Sequence, residues 1–250
     1  MFSLFFSKIL ERIVYNKLYN YLNGNSILSN HQFGFRSGHS TEMPLTIALD
    51  RITHALDRRQ HVISIFLDLQ KAFDMVDHSI LLKKLEHYGV RGVSLGWFNS
   101  YLTNRRQIVK LNSVMSDCQP IVCGVPQGSI LGPLLFLIFI NDICNLPMNL
   151  YHLLFADDTT LLYANANIDD LISTVNNDLD VLSKWFKSNR LLLNINKTNF
   201  MFFSLNAMLH RNDFPIEIDN TPIHRVTETK SLGVFIDSKL TWSSHNITYL

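Results

Sequence analysis

The chain has 250 residues, of which 47% are apolar and 17% charged, and its formal net charge is +1. That length suffices for one large domain or two small ones with a real core, and the composition excludes a disordered chain. Near-neutral charge argues mildly against a nucleic-acid binder, but Arg58-Arg59, Lys83-Lys84, Arg105-Arg106, and Lys184, Lys187 and Arg190 form local basic clusters. Each reads either as a phosphate contact or as a solvated helix face.

In chain order, Met1 to Leu10 is apolar but has no basic leader, and Lys8, Glu11 and Arg12 interrupt it on a helical period. This predicts a structural helix rather than a secretory signal. Phe6, Leu10, Ile13, Leu18 and Leu22 extend the spacing from Leu4 to Leu22, and Asn23-Gly24 ends it. A polar stretch, Ser29 to Thr41, precedes a second helix from Met43 to Leu56. Val62 to Leu67 is apolar and largely β-branched or aromatic, and it ends in Asp68, as a buried strand delivering a carboxylate would. Asp77 is a candidate cap for a helix through Tyr88, stopped by Gly89.

Trp97 to Val122 is mixed in character, with a hairpin expected around Ser113. A loop from Gly124 to Gly132 leads into an apolar helix whose first turn suits Pro133. Its run Leu134 to Ile140 is the longest uninterrupted apolar stretch, far below the roughly 20 residues that cross a bilayer, so no membrane association is expected. Leu150 to Tyr163 reads as a β-hairpin with Asp157 and Asp158 at its tip. Ile172, Val175, Leu179, Leu182 and Phe186 mark a helix over Ile168 to Ser188, with Asp169-Asp170 an ordinary helix start. Two strands are expected to flank Asn196-Lys197, and another pair lies near Ile216 to Ile218 and Leu232 to Ile236. The order fits a split βαβ, ferredoxin-like α+β core.

Cys118, Cys123 and Cys144 form no CxxC pair, which argues for reduced thiols inside a cell. The sequons Asn196-Lys197-Thr198 and Asn246-Ile247-Thr248 are then expected to be chance matches.

Joining a nucleotide to a strand is an in-line phosphoryl transfer that builds charge on the attacking oxygen and on the leaving pyrophosphate. Two divalent cations about 4 Å apart stabilise both ends, and Mg²⁺ asks only for a few carboxylates plus substrate phosphates. Asp157 and Asp158 at a hairpin tip, with Asp68 at a strand end, would supply them. By itself the Asp-Asp pair reads equally as a surface turn.

Several segments together resemble reverse transcriptases. Phe66-Leu67-Asp68-Leu69-Gln70-Lys71-Ala72-Phe73-Asp74, Gly124-Val125-Pro126-Gln127-Gly128-Ser129-Ile130-Leu131-Gly132-Pro133 and Phe155-Ala156-Asp157-Asp158 look like motifs A, B and C. His31-Gln32-Phe33-Gly34-Phe35-Arg36-Ser37-Gly38-His39-Ser40-Thr41 resembles a fingers motif, Leu193-Asn194-Ile195-Asn196-Lys197-Thr198 motif D, and Ser231-Leu232-Gly233-Val234 a primer grip. The wording is nearest the non-LTR, LINE-type retrotransposon polymerases of the jockey kind.

The resemblance implies an RNA-directed DNA polymerase with a right-hand palm, using an RNA template, a DNA primer and deoxynucleotide triphosphates. It implies Mg²⁺, with Mn²⁺ as substitute, held by Asp68, the Leu69 carbonyl, Asp157 and Asp158, the last also matching a residue that helps place the primer end. Lys197 matches a general acid for the leaving pyrophosphate, or is merely solvated. Arg36 matches a triphosphate contact, or pairs with a surface acid. Phe73 matches an aromatic gate that would clash with a ribose 2′-hydroxyl, or is core. Gln127 and Gly128 match the loop beside the incoming nucleotide, or cap a helix. Leu232 and Gly233 match the primer grip.

The implied division is partial fingers over 1–60 and palm over 61–250, with a fingers insertion at about 77–120, the thumb and endonuclease lying outside the chain. Nuclear, intracellular action is expected by resemblance, and the oligomeric state is open. Two alternatives stand: a palm-type RNA-dependent RNA polymerase, and a truncated remnant without activity.

Overall fold

A near-continuous apolar run along His61–Leu67 dictates the centre of the fold, because both faces of this strand are apolar enough to be covered. In the computed structural model, which describes residues 2–103 and 105–243, Val62, Ile63, Ser64 and Ile65 are all buried. Met1 and the sequon Asn246-Ile247-Thr248 lie outside the described residues. The elements run α1 (Phe2–Gly24), α2 (Glu42–Asp57), β1 (His61–Leu67), α3 (His78–His87), α4 (Gly92–Leu102), β2 (Arg106–Gln107), β3 (Lys110–Leu111), β4 (Val114–Met115), β5 (Gln119–Pro120) and α5 (Gly132–Ile140). They continue with β6 (Tyr151–Phe155), β7 (Asp158–Asn165), α6 (Ile168–Ser188), β8 (Asn199–Phe203), β9 (Glu217–Ile218), β10 (Thr221–Pro222), β11 (His224–Arg225), β12 (Glu228–Ser231) and β13 (Val234–Asp237).

The chain packs as two units, neither contiguous in sequence. One holds Asn30–Gln70, Ile143–Ser188 and the chain from Leu192 onward; the other holds the chain up to Ser29, Lys71–Asp142 and Asn189–Leu191.

In the first unit a five-stranded sheet runs in the order β11-β8-β1-β7-β6. β1 pairs antiparallel with β7 and with β8, and β6 pairs antiparallel with β7, so β1 and β6 point the same way with β7 between them. This is the split βαβ arrangement. Val62, Leu162, Met201 and Phe203 share a core with Ala48, Ile52 and Ala55 of α2 on one face. The other face meets α6, which packs on β1 and β7.

Helix α6 starts where expected. The Asn167 side chain accepts from the backbone N–H groups of Asp169 and Asp170, whose carboxylates sit at the positive end of the helix dipole. Leu171, Val175, Leu179, Leu182 and Phe186 are buried along one stripe, with Leu171 rather than Ile172 fully covered. The buried Asp178 carboxylate accepts from the Asn149 and Leu150 backbone N–H groups at 2.6 and 2.9 Å, which fixes the entry into β6.

One expectation is corrected. Only one strand, β8, adjoins Asn196-Lys197. The residues before it turn back on themselves, with the Lys197 and Thr198 N–H groups both donating to the Asn194 carbonyl, while Leu193 makes a lone bridge to Leu69. The strands expected near Ile216 to Ile218 and Leu232 to Ile236 are present as β9 and β13. Each belongs to its own hairpin, β9–β10 and β12–β13.

His152 of β6 is 5% exposed, and burial, aided by the neighbouring His31, lowers its pKa from 6.5 to about 4. The unfolded chain therefore binds the extra proton between those values. Stability is complete above pH 6.5 and is lost as pH falls through about 4, by about 3 kcal/mol. Thermal midpoints measured from pH 7 to pH 4 are expected to fall accordingly, and His152→Phe is expected to flatten that slope.

The second unit is mainly helical. Leu134 to Ile140 of α5 are all buried, so this helix is apolar all round because it is enclosed, and Pro133 sits in its first turn. Asp77 caps α3 by accepting from the Ile80 N–H at 3.0 Å, and Gly89 follows with φ +95°. Helix α4 lies partly within the stretch expected to be mixed, and its register is set by packing of Phe98 and Leu102. Strands β3 and β4 form the hairpin expected around Ser113, with Asn112 in the left-handed region at φ +54°. Among the described residues no helix is long and apolar enough to cross a membrane.

Candidate active site

Strand β1 ends at Leu67, and Asp68 is the next residue, half-buried. Its N–H points to the Thr198 hydroxyl at 3.3 Å, and its carbonyl accepts from the Asn194 N–H at 2.8 Å. Gln70 N–H then donates to the Leu192 carbonyl. The turn before β8 thus holds the exit of β1, including Leu69, in place. In the β1–β7 ladder Leu67 faces Thr159. One step further would set Asp68 opposite Asp158, a like-charged cross-strand pair that is unfavourable without a counter-charge.

Strands β6 and β7 are joined by Ala156-Asp157, with Phe155 and Asp158 the last pair of the ladder. Ala156 has φ +59°, the left-handed region that residues with a Cβ avoid. The segment His31 to Phe33 runs beside β6: Gln32 bridges Leu154 in parallel, Phe33 N–H donates to the Leu154 carbonyl, and Leu154 N–H to the His31 carbonyl. The Gln32 oxygen accepts from the Ala156 N–H at 2.9 Å and from the Gly34 N–H at 2.8 Å. Gly34 lies so close that a Cβ there would stand 2.2 Å from the Ala156 nitrogen.

Asp158 is largely accessible as a residue, but partial burial of its carboxyl, then the charges of Asp157 and Asp68, raises its pKa above the ordinary 3.8. The folded chain therefore holds this proton more tightly than the unfolded chain. The resulting stability is present below pH 3.8 and is lost as pH rises through the folded value. At neutral pH the site holds mutual repulsion that a bound cation relieves.

The donor set is carboxylate oxygen, which suits a hard divalent cation. Among the described residues, no three His, Cys, Asp or Glu side chains are spaced to hold a metal by themselves. A small cation that keeps its waters and shares substrate phosphates does not need such a cage.

Asp68, Asp158, Lys197, Lys230, Leu232 and Gly233 line one hollow of about 340 Å³. Lys197 is exposed at its rim. Leu232 and Gly233 form the turn of the β12–β13 hairpin with φ +49° and +89°, so a leucine occupies a position that favours Asn or Gly. Asp157 sits in the adjoining turn, and neither it nor Arg36 lines the hollow. Arg36 is half-buried, with Nη1 donating to the Gln32 carbonyl at 3.3 Å.

The remaining candidates belong to the other unit. Phe73 is half-buried and its ring stacks on Phe136 at 4.4 Å, so one side of it is core. Val125 N–H donates to the Phe73 carbonyl and Gly124 N–H to that of Val76, laying the Gly/Pro loop over the turn that carries Phe73. At Gly124, φ +88°, a Cβ would meet the Asp74 carbonyl oxygen at 2.9 Å. Gln127 is exposed, and its Nε2 donates to the Asp74 carboxylate at 2.9 Å. Gly128 has φ +73°, and its carbonyl accepts from Lys8 Nζ.

Sequence reasoning missed Gln32 and Lys230. Gln32 was one polar residue within a polar stretch, and only its 2% exposure marks it.

A strand-end aspartate and a two-aspartate hairpin on this split βαβ sheet define a polymerase palm. The chain belongs to the reverse transcriptase (RNA-dependent DNA polymerase) family, which it matches over residues 3–250. It is 34% identical over 255 residues to the probable RNA-directed DNA polymerase from transposon BS of Drosophila melanogaster, covering 96% of this chain and 27% of that protein. It is 32% identical over 243 residues to the corresponding X-element protein of the same fly, covering 96% and 26%. The chain thus spans about a quarter of the length of the curated relatives it matches. Its fold is shared with telomerase from Candida tropicalis, solved with a fragment of telomeric RNA, at a TM-score of 0.66 and 14% identity over 96% of this chain and 39% of that one.

Proposed function

We propose that the chain carries the nucleotidyl-transfer centre of an RNA-directed DNA polymerase of the non-LTR retrotransposon kind, extending a DNA primer on an RNA template. The observation that carries this is the convergence of Asp68 and Asp158 on one hollow, beside Asp157, with the Asp158 pKa raised by burial and by both neighbours. Asp68, Asp157, Asp158 and the Leu69 carbonyl are the groups to hold Mg²⁺, or Mn²⁺ in its place. When bound, such ions neutralise charge on the attacking 3′ oxygen and on the leaving pyrophosphate.

The chain's own residues do the rest. Lys197, at the rim, gives a proton to the departing pyrophosphate. Arg36 pairs with triphosphate oxygens as a fixed cation. The Leu232-Gly233 turn bears on the primer end, and its strained leucine supports a role beyond folding. Gln127 and Gly128 border the incoming nucleotide, where a glycine permits close backbone approach. Phe73, steadied by Phe136, excludes a 2′-hydroxyl.

Purified chain with Mg²⁺ or Mn²⁺ is expected to extend a DNA primer on RNA with deoxynucleotides and poorly with ribonucleotides. Preference for ribonucleotides, or no extension at all, overturns the proposal. Phe73→Val is expected to raise ribonucleotide use relative to deoxynucleotide use by about tenfold to a hundredfold, read as the ratio of kcat/KM values.

A further inference from the structure

We propose that Gln32 is the positioning residue of the aspartate turn, its carboxamide clamping Ala156 in the left-handed conformation and so setting where Asp157 and Asp158 stand. The inference rests on the functional reading above and assigns to it a residue outside the metal and substrate sets.

Gln32 is 2% exposed, and every polar atom of its side chain is spent on two backbone segments. Its oxygen accepts from Ala156 N–H at 2.9 Å and from Gly34 N–H at 2.8 Å, while its Nε2 points to the Ala156 carbonyl at 3.4 Å. The amide therefore grips both backbone groups of the single turn residue whose φ is positive. The Ala156 conformation carries a steric cost, which the surrounding structure must overdetermine. A buried glutamine reaching across 124 positions supplies that constraint. The residues on either side fix the amide in turn, because His31 and Phe33 exchange backbone hydrogen bonds with Leu154.

The same residue also faces the other way. Its carbonyl accepts from Arg36 Nη1 at 3.3 Å. Thus the loop that carries Arg36 and the turn that carries the carboxylates share one anchor. A shift in either, on nucleotide binding, is transmitted through Gln32 by a direct chain of hydrogen bonds.

The test follows amide exchange by NMR on the whole chain, together with primer extension, for Gln32→Met and Gln32→Glu. Methionine fills the same space with no hydrogen bond. Glutamate keeps an accepting oxygen for both N–H groups in either protonation state. Gln32→Met is expected to speed exchange of the Ala156 and Gly34 amides by about tenfold or more, with the β1 amides unchanged. It is also expected to lower kcat about tenfold to a hundredfold while KM for deoxynucleotide changes less. Gln32→Glu is expected to retain the amide protection.

Unchanged protection at Ala156 in Gln32→Met overturns the clamp, as does faster exchange with an unchanged kcat. Should the methionine variant not fold, Gln32→Asn, whose amide cannot span the gap, is held to the same exchange criteria. If the wild-type chain fails to extend a primer, the functional reading falls, and the exchange measurement still decides the clamp by itself.

Discussion

Replacing Asp68 with Asn is expected to leave the chain folded and to reduce primer extension by about three orders of magnitude, about 4 kcal/mol of transition-state stabilisation. Asn matches Asp in shape, so β1 and its exit, held by Asn194 and Thr198, are undisturbed. What disappears is one negative oxygen donor in the hollow shared with Asp158. Burial and Asp157 remain to raise the Asp158 carboxyl, but the contribution from Asp68 is gone, so its pKa moves back towards the ordinary value. The thermal midpoint in EDTA at pH 7 is therefore expected to stay level or rise while activity collapses. Loss of both together would assign Asp68 to folding and not to chemistry.

Gly34→Ala carries the largest expected structural effect. The new methyl carbon would stand 2.2 Å from Ala156 N and 2.8 Å from the Phe155 carbonyl carbon, both backbone atoms that cannot swing aside. The His31 to Phe33 segment or the turn must move, at a cost of about 3 kcal/mol or more. In a chain this size the thermal midpoint is expected to fall by roughly 6–12 °C, and extension by about a hundredfold because the carboxylates shift. Gly38→Ala is the contrast: φ is +77° but a Cβ meets nothing within 4 Å, so the cost is confined to the backbone, about 1 kcal/mol. Calorimetry and primer extension on the pair separate the two causes.

What could be read from the sequence follows from which interactions are local. β1, α2, α6, the β6–β7 hairpin and the Asp77 cap are written as periodicities and end signals, and their positions matched to within a residue or two. α4 was not visible because Gly92-Val93-Ser94-Leu95-Gly96-Trp97 mixes glycines with β-branched and aromatic residues, so tertiary packing decides its state. Leu192-Leu193 looks like part of a strand, yet Leu192 accepts from Gln70 and Leu193 bridges Leu69, so both serve the exit of β1. At the site, Asp68, Asp157 and Asp158 could be named because the ordered motifs around them resemble those of reverse transcriptases, whereas the Asp-Asp pair by itself read equally as a surface turn. Gln32 could not, since its partners lie in a strand more than a hundred positions away and no local pattern encodes them. Lys230 was equally out of reach, because it joins Asp68 only through the sheet and the β12–β13 hairpin.

The left-handed Leu232 has a consequence for selection. Asn-Gly is the preferred pair for such a turn, so Leu232→Asn removes a local cost of about 1 kcal/mol. In a variant library sorted only for folded protein, Asn at this position is enriched over leucine. In the same library sorted for extended primer, leucine is retained. The position at which the two sortings diverge measures how much of this hairpin is kept for its grip on a nucleic acid strand and how much for its fit to the rest of the chain.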